Sequence, residues 1–499
     1  MIESVARSAT LPADLGLLAW IRRNAHVGIA GAIYACALLV ASAHEFVQDS
    51  WLSIAGGRDV ALHGLPWHER LTILNQGAHW VDQQWLGKVF LYAATVAGGL
   101  RLLLVVHVAF VLAGFVGAMA VARRCGASDR AVFWVAAATI PTAPWAWQLR
   151  AQSLSYALFV AVLALLATDS ERPSRRVWLV LPLLALWANV HGSVTLGVAL
   201  TLFAGVVQIA RRRMRGLALC VGGASCLFVS PYGFALAHYY RSLLFNPLMG
   251  HFVDEWRPSA FPTAVPFFAL AVAVAWLLGR QWNALGAFER LALLVTAAAG
   301  FTAIRGIVWF LLAAVVLVPK ALDGEFSGAR RASRLVMGIA ALGAATAVVV
   351  GAVAVSELPQ KLAAQFPEAA AATVAHENAA DPSMTVFASE RYADWLLWKD
   401  PALSGRLVYD VRFELFDRRL FDELLAFHEH NGRDWQRILH HARLVVLDRK
   451  TDDRPARALE SESGARVLYE DRNITIILRA ARVSAVSVDE RQHAAPRVL

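Results

Sequence analysis

Charged residues are scarce in this 499-residue chain. Asp, Glu, Lys and Arg together make up 17% of it, whereas hydrophobic residues make up 58%. A chain of this length could hold two or three soluble domains. Its apolar residues, however, form blocks that are long enough to cross the roughly 30 Å of bilayer hydrocarbon as helices. The composition therefore excludes a set of soluble domains and predicts a polytopic membrane protein.

Cysteine is also rare, and its positions exclude two kinds of site. The four cysteines lie in apolar runs or in a short Arg-flanked loop, and none lies in the polar C-terminal third: Cys36, Cys125, Cys220 and Cys226. A disulfide framework or a cysteine-type zinc site in that third is therefore excluded. A cleavable signal is missing too. Arg22 and Arg23 precede a long apolar run without a small-residue cleavage site, so we expect an anchor there.

The net charge of +9 comes from arginines that cluster between apolar runs. Arginines in that position set the orientation of a membrane protein, so we expect no nucleic-acid partner. About eleven spans are predicted, with the basic linkers and the N-terminus in the cytoplasm and the C-terminal third outside it. The predicted spans are 27–43, 102–122, 131–148, 152–168, 177–190, 193–210, 216–230, 264–279, 289–303, 306–320 and 335–356.

Three segments break the apolar pattern. Residues 86–100 are predicted to form an interfacial helix, because a crossing there would export Arg123 and Arg124. The sequence VHGS at 190–193 predicts a helical hairpin rather than one long helix. A second break at TAIRG, residues 302–306, would place Arg305 at the outer surface or in a wet cavity.

The C-terminal third changes character. Short β-rich runs (MTVFA, RLVYD, RLVVLD, ARVLYE and NITIILR) alternate with helical stretches such as DRRLFDELLAFHEH. This alternation predicts a small α/β domain with a partly parallel sheet. The predicted organisation is a membrane domain over 1–356 with its first extracytoplasmic loop at 44–101, an α/β domain over 357–480, and a disordered tail over 481–499.

Chemically varied side chains collect in the linkers predicted to lie outside the cytoplasm, which contain His44, Glu45, Asp49, Asp59, His68, Glu69, His79, Asp82, Arg150, His191, His238, Arg241, His251, Asp254, Glu255 and Arg305. A lipid or glycan transporter would more often hold polar groups near the bilayer midplane, on broken helices in repeated halves. The sequence shows neither midplane charges nor internal repeats. A transporter stays an alternative, but the pattern favours a site at the outer mouth.

Several motifs in order resemble the GT-C superfamily of membrane glycosyltransferases, most of all a group of bacterial members. They are DSW at 49–51, GRDVALHG at 57–64, LPWHE at 65–69, WVDQQWL at 80–86, WANVHGS at 187–193, SPYGFALAHYY at 230–240, NPLMGHFVDEW at 246–256, AIRGIVWF at 303–310, VFASERYADWLLW at 386–398 and VYDVRFELF at 408–416. The resemblance covers most of the chain.

This resemblance implies an α-helical, GT-C-like polytopic protein of the bacterial cytoplasmic membrane. Such enzymes transfer a sugar from a polyprenyl-phosphate donor at the outer face of the cytoplasmic membrane. The acceptor here would be an unidentified glycan, lipid or protein. The resemblance gives Asp49 the position of the first-loop acid, a general base or a metal ligand, and Glu69 the position of a second acid. Asp49 could instead be a structural acid at a helix end.

Other residues are candidates for substrate binding. Arg150 and Arg305 could bind the donor phosphate, because arginine presents a fixed fork of donors; the alternative is a buried salt bridge to one of the acids. His191 could bind substrate or cap the turn at the helix break. Asp82 could bind substrate or tie the first loop together, and Trp85 could stack on sugar or belong to an interfacial aromatic belt.

Glu255 is a further candidate for substrate binding. It has an acidic neighbour, Asp254, and only one of two adjacent side chains can face inward on a regular element. The chain departs from better-known GT-C enzymes at Asp49, because Gln48 and Ser50 flank it where those enzymes often have adjacent acids. No cofactor is therefore certain, and a divalent metal at Asp49 and Glu69 stays open. A catalytically silent scaffold is the remaining alternative.

Overall fold

The computed structural model of the protein describes residues 13–42, 44–142, 144–210, 212–244, 247–325, 333–439 and 442–480. An α-helical bundle precedes a small α/β domain, as predicted. The helices of the bundle are α1 (Ala13–Ala41), α2 (Gln48–His63), α3 (Trp85–Arg124), α4 (Asp129–Thr139), α5 (Ala151–Leu154), α6 (Tyr156–Glu171), α7 (Val180–Val190), α8 (Val194–Ile209), α9 (Arg213–Ser225), α10 (Leu236–Leu244), α11 (Pro247–Phe252), α12 (Val265–Arg280), α13 (Ala287–Thr302), α14 (Ile307–Leu322) and α15 (Arg334–Ala363).

Every predicted span coincides with helix over all or part of its length. Among the described residues, five helical segments are long and apolar enough to cross a membrane, or six if one bent pair counts as a span: Arg22–Ala41, Trp85–Arg124, Ala151–Glu171, Ile304–Glu325 and Arg334–Ala363, with the pair Arg213–Phe228 and Gly233–Leu243. Helices α8 and α12 are apolar but shorter. The count of about eleven spans therefore stays a prediction.

One predicted span is interrupted. The helix expected over 131–148 ends at Thr139, and two short 3₁₀ turns follow it. Pro141 explains the interruption, because proline lacks the backbone N–H that an α-helix needs and its ring clashes with the preceding turn. The chain therefore leaves the direction of α4 before it reaches Arg150, which precedes α5.

The predicted breaks at 190–193 and 302–306 are present, and a kink sets off the segment 86–100, whose interfacial position stays a prediction. Helix α3 has non-helical backbone at Gly98 and Gly99, which separates residues 85–97 from the following apolar segment. Gly99 has a φ of 65°, a left-handed conformation that favours glycine. Helix α7 ends in an extended residue, His191, and α13 and α14 are separated by a 3₁₀ turn that contains Arg305.

Helix α14 forms the centre of the bundle. Almost all of its residues are buried, including Trp309, whose ring contacts the rings of Tyr156, Phe159 and Trp187. Helix α15, by contrast, packs along α1 and keeps side chains such as Val348 exposed. Exposed apolar helix faces are expected where lipid replaces water around the protein.

The C-terminal domain contains α16 (Glu368–Ala380), α17 (Glu390–Lys399), α18 (Arg418–His428), α19 (Asp453–Glu460) and the strands β1 (Val386–Ala388), β2 (Leu444–Asp448), β3 (Arg466–Glu470) and β4 (Ile474–Leu478). The sheet has the order β1-β2-β4-β3, with β1 and β2 parallel and the other pairs antiparallel. The partly parallel sheet is as predicted. Helix α15 continues past the expected boundary at 356 to Ala363, and the predicted tail 481–499 lies outside the described residues.

One of the five β-rich runs does not form a strand. In RLVYD (406–410), only Leu407 makes isolated bridges, to Val386 of β1 and to Thr72 of the first loop. The backbone N–H of Ile73 donates to the carbonyl of Leu407 at 2.8 Å. The run is therefore shared between the domain and the loop after α1, and it joins them.

Helix α2 provides a second junction between the first loop and the C-terminal domain. It packs on α17, where Arg58 donates to the backbone carbonyls of Trp398 (2.8 Å) and Leu397 and lies over the Trp398 ring. On its other side α2 packs against α3. A Cβ atom at Gly57 would lie 2.2 Å from the carbonyl oxygen of Lys88, so only glycine permits this approach.

Candidate functional site

A cavity of about 560 Å³ lies where the bundle, the first loop and the C-terminal domain meet. Its wall combines apolar side chains with many charged ones. The acidic side chains are Asp49, Asp82, Asp254, Glu255, Glu390 and Glu414, and the basic or titratable nitrogen-bearing ones are Lys88, Arg150, His191, Arg305 and Arg412. Six of the eight residues predicted from the sequence, all except Glu69 and Trp85, therefore line one cavity.

Arg150 lies at the centre of this cluster. It is extended just before α5, and the carbonyl of Glu45 holds its neighbour Leu149 through a backbone hydrogen bond of 2.8 Å. The buried guanidinium makes a two-point contact with Glu255, with Nη1 to Oε2 at 2.6 Å, and its Nη1 lies 3.3 Å from Asp49 Oδ2. Arg150 Nε is buried and has no hydrogen-bond partner among the described residues.

Arg305 is held less tightly than Arg150. Its Nη1 lies 4.0 Å from Glu255 Oε2, and its guanidinium lies 4.7 Å from the centre of the Trp256 ring. The turn that carries Arg305 depends on Gly306, where a Cβ atom would lie 2.1 Å from the carbonyl oxygen of Ala299. Arg305 is therefore a partly exposed cation over an aromatic face, with donors left for a ligand.

The adjacent acids 254 and 255 point in different directions. Burial would raise the pKa of Glu255, but the charges of Arg150 and Arg305 and the hydrogen bonds from Arg150 outweigh it and lower that pKa to about 2. The side chain of Asp254 is 73% exposed and pairs with Arg257 at 2.9 Å. Glu255 faces into the cavity, whereas Asp254 lies at its rim with most of its side chain exposed.

Asp49 lies in the first turn of α2 and a third of its side chain is exposed. An acid is favourable at this end of a helix because the helix dipole is positive there. Burial in the cavity wall raises the pKa of Asp49, and the charges of Arg150 and Arg305 oppose that rise. Asp49 is thus a partly accessible carboxylate beside two arginines.

His191 follows α7 and both lines the cavity and caps a turn. Its Nδ1 accepts the backbone N–H of Ser193 at 3.1 Å and lies 2.8 Å from the Ser193 hydroxyl. Burial, together with the charges of Arg305 and Arg150, holds the pKa of His191 well below its usual value. The side chain is therefore a neutral imidazole with Nδ1 used for the turn.

Asp82 and Trp85 have structural partners. Asp82 Oδ2 is 2.8 Å from Lys88 Nζ, and both side chains are almost fully buried although they reach the cavity wall. Trp85 Nε1 donates to Asn189 Oδ1 at 2.9 Å, and Trp85 lies outside the cavity lining. These contacts fit the tying role that the sequence left open for Asp82.

Glu69 has no described hydrogen bond or ion pair with Asp49. It is buried, it accepts the backbone N–H groups of Leu71 and Thr72 at 2.7 Å each, and it forms an ion pair with Arg412 of the C-terminal domain. The second carboxylate on Arg412 is that of Asp410. Glu69 therefore links the first loop to the C-terminal domain and does not line the cavity.

Glu390 and Glu414 are cavity acids that the sequence reasoning missed. Glu390 is the first residue of α17 and lies two residues after the end of β1, and Gln48 Nε2 donates to its Oε1. Burial raises the pKa of Glu390 to about 7, and the hydrogen bond from Gln48 opposes that rise. A signal was available, because ligand sites in sheets with parallel strands often lie beyond the carboxyl ends of those strands.

The fit of a metal to the two proposed ligands is poor. The oxygens of Glu69 are engaged by Arg412 and by backbone N–H groups, whereas Asp49 contacts Arg150. Across the parts of the chain that the structure describes, no three His, Cys, Asp or Glu side chains are grouped as metal ligands. Asp49 and Glu69 therefore do not form a shared carboxylate pair.

No protein-family model matches the chain, and no curated protein sequence matches it either. Two crystal structures of ArnT from Cupriavidus metallidurans are similar to it, each at 14% sequence identity and a TM-score of 0.49. The similarity to the apo structure covers 87% of this chain and 94% of that one. For the structure bound to undecaprenyl phosphate, the coverage is 89% and 98%.

Proposed function

We propose that the protein is a GT-C-type glycosyltransferase that moves a sugar from a polyprenyl-phosphate donor to an acceptor hydroxyl at the outer face of the cytoplasmic membrane. The observation that carries the proposal is the cluster of Asp49, Arg150 and Arg305 in one cavity at an end of an apolar helical bundle. A donor that cannot leave the bilayer needs a site of this kind.

The chemistry requires a carboxylate and cations close together. In the proposed reaction, the acceptor oxygen bonds to the anomeric carbon while the bond from that carbon to the phosphate oxygen breaks. The acceptor proton passes to Asp49, whose pKa is raised in the direction that suits a general base. The leaving phosphate keeps the bonding electron pair, and Arg305 and Arg150 stabilise its charge.

Arg150 and Glu255 have a positioning role in this proposal. Their two-point contact fixes the guanidinium plane, and the same guanidinium lies 3.3 Å from Asp49. Glu255, with its lowered pKa, stays ionised at neutral pH. It holds the Arg150 guanidinium, so that Arg150 does not form a tighter ion pair with Asp49. Glu69 has a structural role in the same proposal, because its partners belong to the junction with the C-terminal domain.

The test is a transfer assay on the purified protein in lipid nanodiscs with polyprenyl-phosphate sugars and a panel of hydroxyl acceptors. Wild type should transfer sugar, and Glu255→Gln should lose most of its turnover because Arg150 loses its fixed partner. Glu368→Gln is the matched control, since this exposed acid lies outside the cavity lining and should keep wild-type turnover. Donor binding without any transfer by wild type would instead support the scaffold alternative.

A further inference from the structure

The C-terminal domain contributes a carboxylate, that of Glu390, to the cavity, and the proposed reaction gives this carboxylate no role. Glu390 begins α17, and the side chain of Gln48, the residue before Asp49, reaches across and donates to it. Helices α2 and α17 pack against each other, so this contact is part of an extensive interface. Two carboxylates from distant parts of the chain therefore face the same cavity.

The two carboxylates have different environments. Asp49 has the guanidinium of Arg150 at 3.3 Å, whereas Glu390 forms no ion pair among the described contacts and receives a hydrogen bond from a neutral amide. Two acids whose surroundings differ in this way can hold one proton unequally. The acid without a cationic partner is the one that keeps the proton.

We propose that Glu390 and Asp49 act as a carboxylate pair, in which Glu390 takes up the proton that the acceptor hydroxyl releases. This inference rests on the proposed function. When the acceptor O–H bond breaks and its oxygen bonds to the sugar, Asp49 receives the proton and passes it to Glu390. The electron pair of the broken sugar–phosphate bond leaves with the phosphate, so the step needs no further reactant.

Several charged or titratable groups face Glu390 and bear on its protonation. Asp49 and Glu255 raise its pKa across the cavity, while His428 of α18, itself paired with Asp452, lowers it. Tyr409 lies against it from the segment after β1. Together with burial, the largest cause, these groups give Glu390 a pKa of about 7. Glu390 is therefore ionised above about pH 7, where it can accept a proton, and protonated well below pH 7, where it cannot.

The first experiment measures kcat/KM against pH for wild type and four variants in nanodiscs. Wild type should lose activity as the pH falls below about 7. In Glu390→Gln this acidic decline of kcat/KM should disappear, and kcat/KM at high pH should be about tenfold to a hundredfold below wild type. Glu390→Asp should retain an acidic decline. Gln48→Leu should move the acidic decline of kcat/KM to higher pH, because it removes the hydrogen-bond donor that stabilises the charged Glu390 carboxylate. Glu368→Gln, an exposed acid of the same domain, should match wild type.

The second experiment needs no turnover. Infrared difference spectra should follow the carboxylic C=O band that is present in wild type and missing in Glu390→Gln, and this band should titrate near pH 7. Titration at the ordinary glutamate value would overturn the inference, as would wild-type kcat/KM and an unchanged acidic decline in Glu390→Gln. If wild type transfers no sugar while the band titrates near pH 7, the proposed function fails and the paired environment of Glu390 stands.

Discussion

Replacing Arg412 by methionine removes the cation that lies between Glu69 of the first loop and Asp410 of the C-terminal domain. All three side chains are at most 3% exposed. Methionine keeps an unbranched stem of similar length beside the Trp80 ring, over which the Arg412 guanidinium lies at 4.6 Å. The substitution therefore removes a charge and its hydrogen bonds with little change in packing volume.

The cost can be estimated from the burial of the group. Removing one member of a fully buried ion pair costs about 3–5 kcal/mol, because the remaining carboxylates are left buried without a partner. At about 1.4 kcal/mol per factor of ten, this is a hundredfold to a few thousandfold change in the unfolding equilibrium. Glu69→Gln should cost less, about 1.5–3 kcal/mol, because Arg412 keeps Asp410 and the amide oxygen still accepts backbone N–H groups.

The assay is thermal unfolding of the purified variants in nanodiscs, followed by tryptophan fluorescence and by proteolysis of the loop 64–79. Both the apparent melting temperature and the protease resistance should fall in the order wild type, Glu69→Gln, Arg412→Met. Arg418→Met is the control, because this arginine is exposed and its only described ion pair is a surface contact with Asp422. Equal stability of the Arg412 and Arg418 variants would refute the reasoning. Lost turnover in a fully stable Glu69→Gln would restore a catalytic role for Glu69.

Three further predictions concern the site and the topology. Asp49→Asn should lower turnover by about 10²–10⁴-fold while donor-lipid binding survives, and near-normal turnover would reject Asp49 as the base. Arg305→Ala should weaken donor binding by ~1.5–3 kcal/mol, measured with a labelled polyprenyl phosphate, and unchanged affinity would move the phosphate elsewhere. A reporter that is active only outside the cytoplasm should be active when fused after residue 380 and silent at 172 or 213; activity at 213 would reject the predicted orientation.

The helical part was predictable because its signals are local. An apolar run long enough to cross a bilayer is visible in the sequence, and so are the residues that end it, such as the HGS turn at 191–193 and the turn around Arg305. Pro141 follows the end of α4 at Thr139, so the helix is shorter than the span predicted over 131–148. RLVYD has the composition of a strand, but it forms only isolated bridges between the first loop and β1.

The candidate site was predictable in part. Arg150 and Arg305 were singled out because arginine presents a fixed fork of donors that suits a phosphate, and they lie together with Glu255. The contacts of Glu69 and Glu390 could not be assigned from local sequence, although the position of Glu390 beyond a parallel strand was visible there. Their partners, Arg412 and Gln48, are more than 300 residues away along the chain, so only the folded contact tells which acid is tied up and which faces the cavity.

The charges around Arg150 explain why Arg305 is the sharper test of donor binding. Glu255 engages both terminal nitrogens of Arg150 and stays ionised to about pH 2, so an incoming phosphate would have to compete with a fixed carboxylate. Arg305 is 4.0 Å from that carboxylate and partly exposed, so its donors can turn to a ligand at little cost. Arg150→Ala would also release Glu255 and Asp49, whereas Arg305→Ala keeps the two-point contact between Arg150 and Glu255 and the contact of Arg150 with Asp49. A loss of donor affinity in the Arg305 variant can therefore be attributed to the phosphate contact itself.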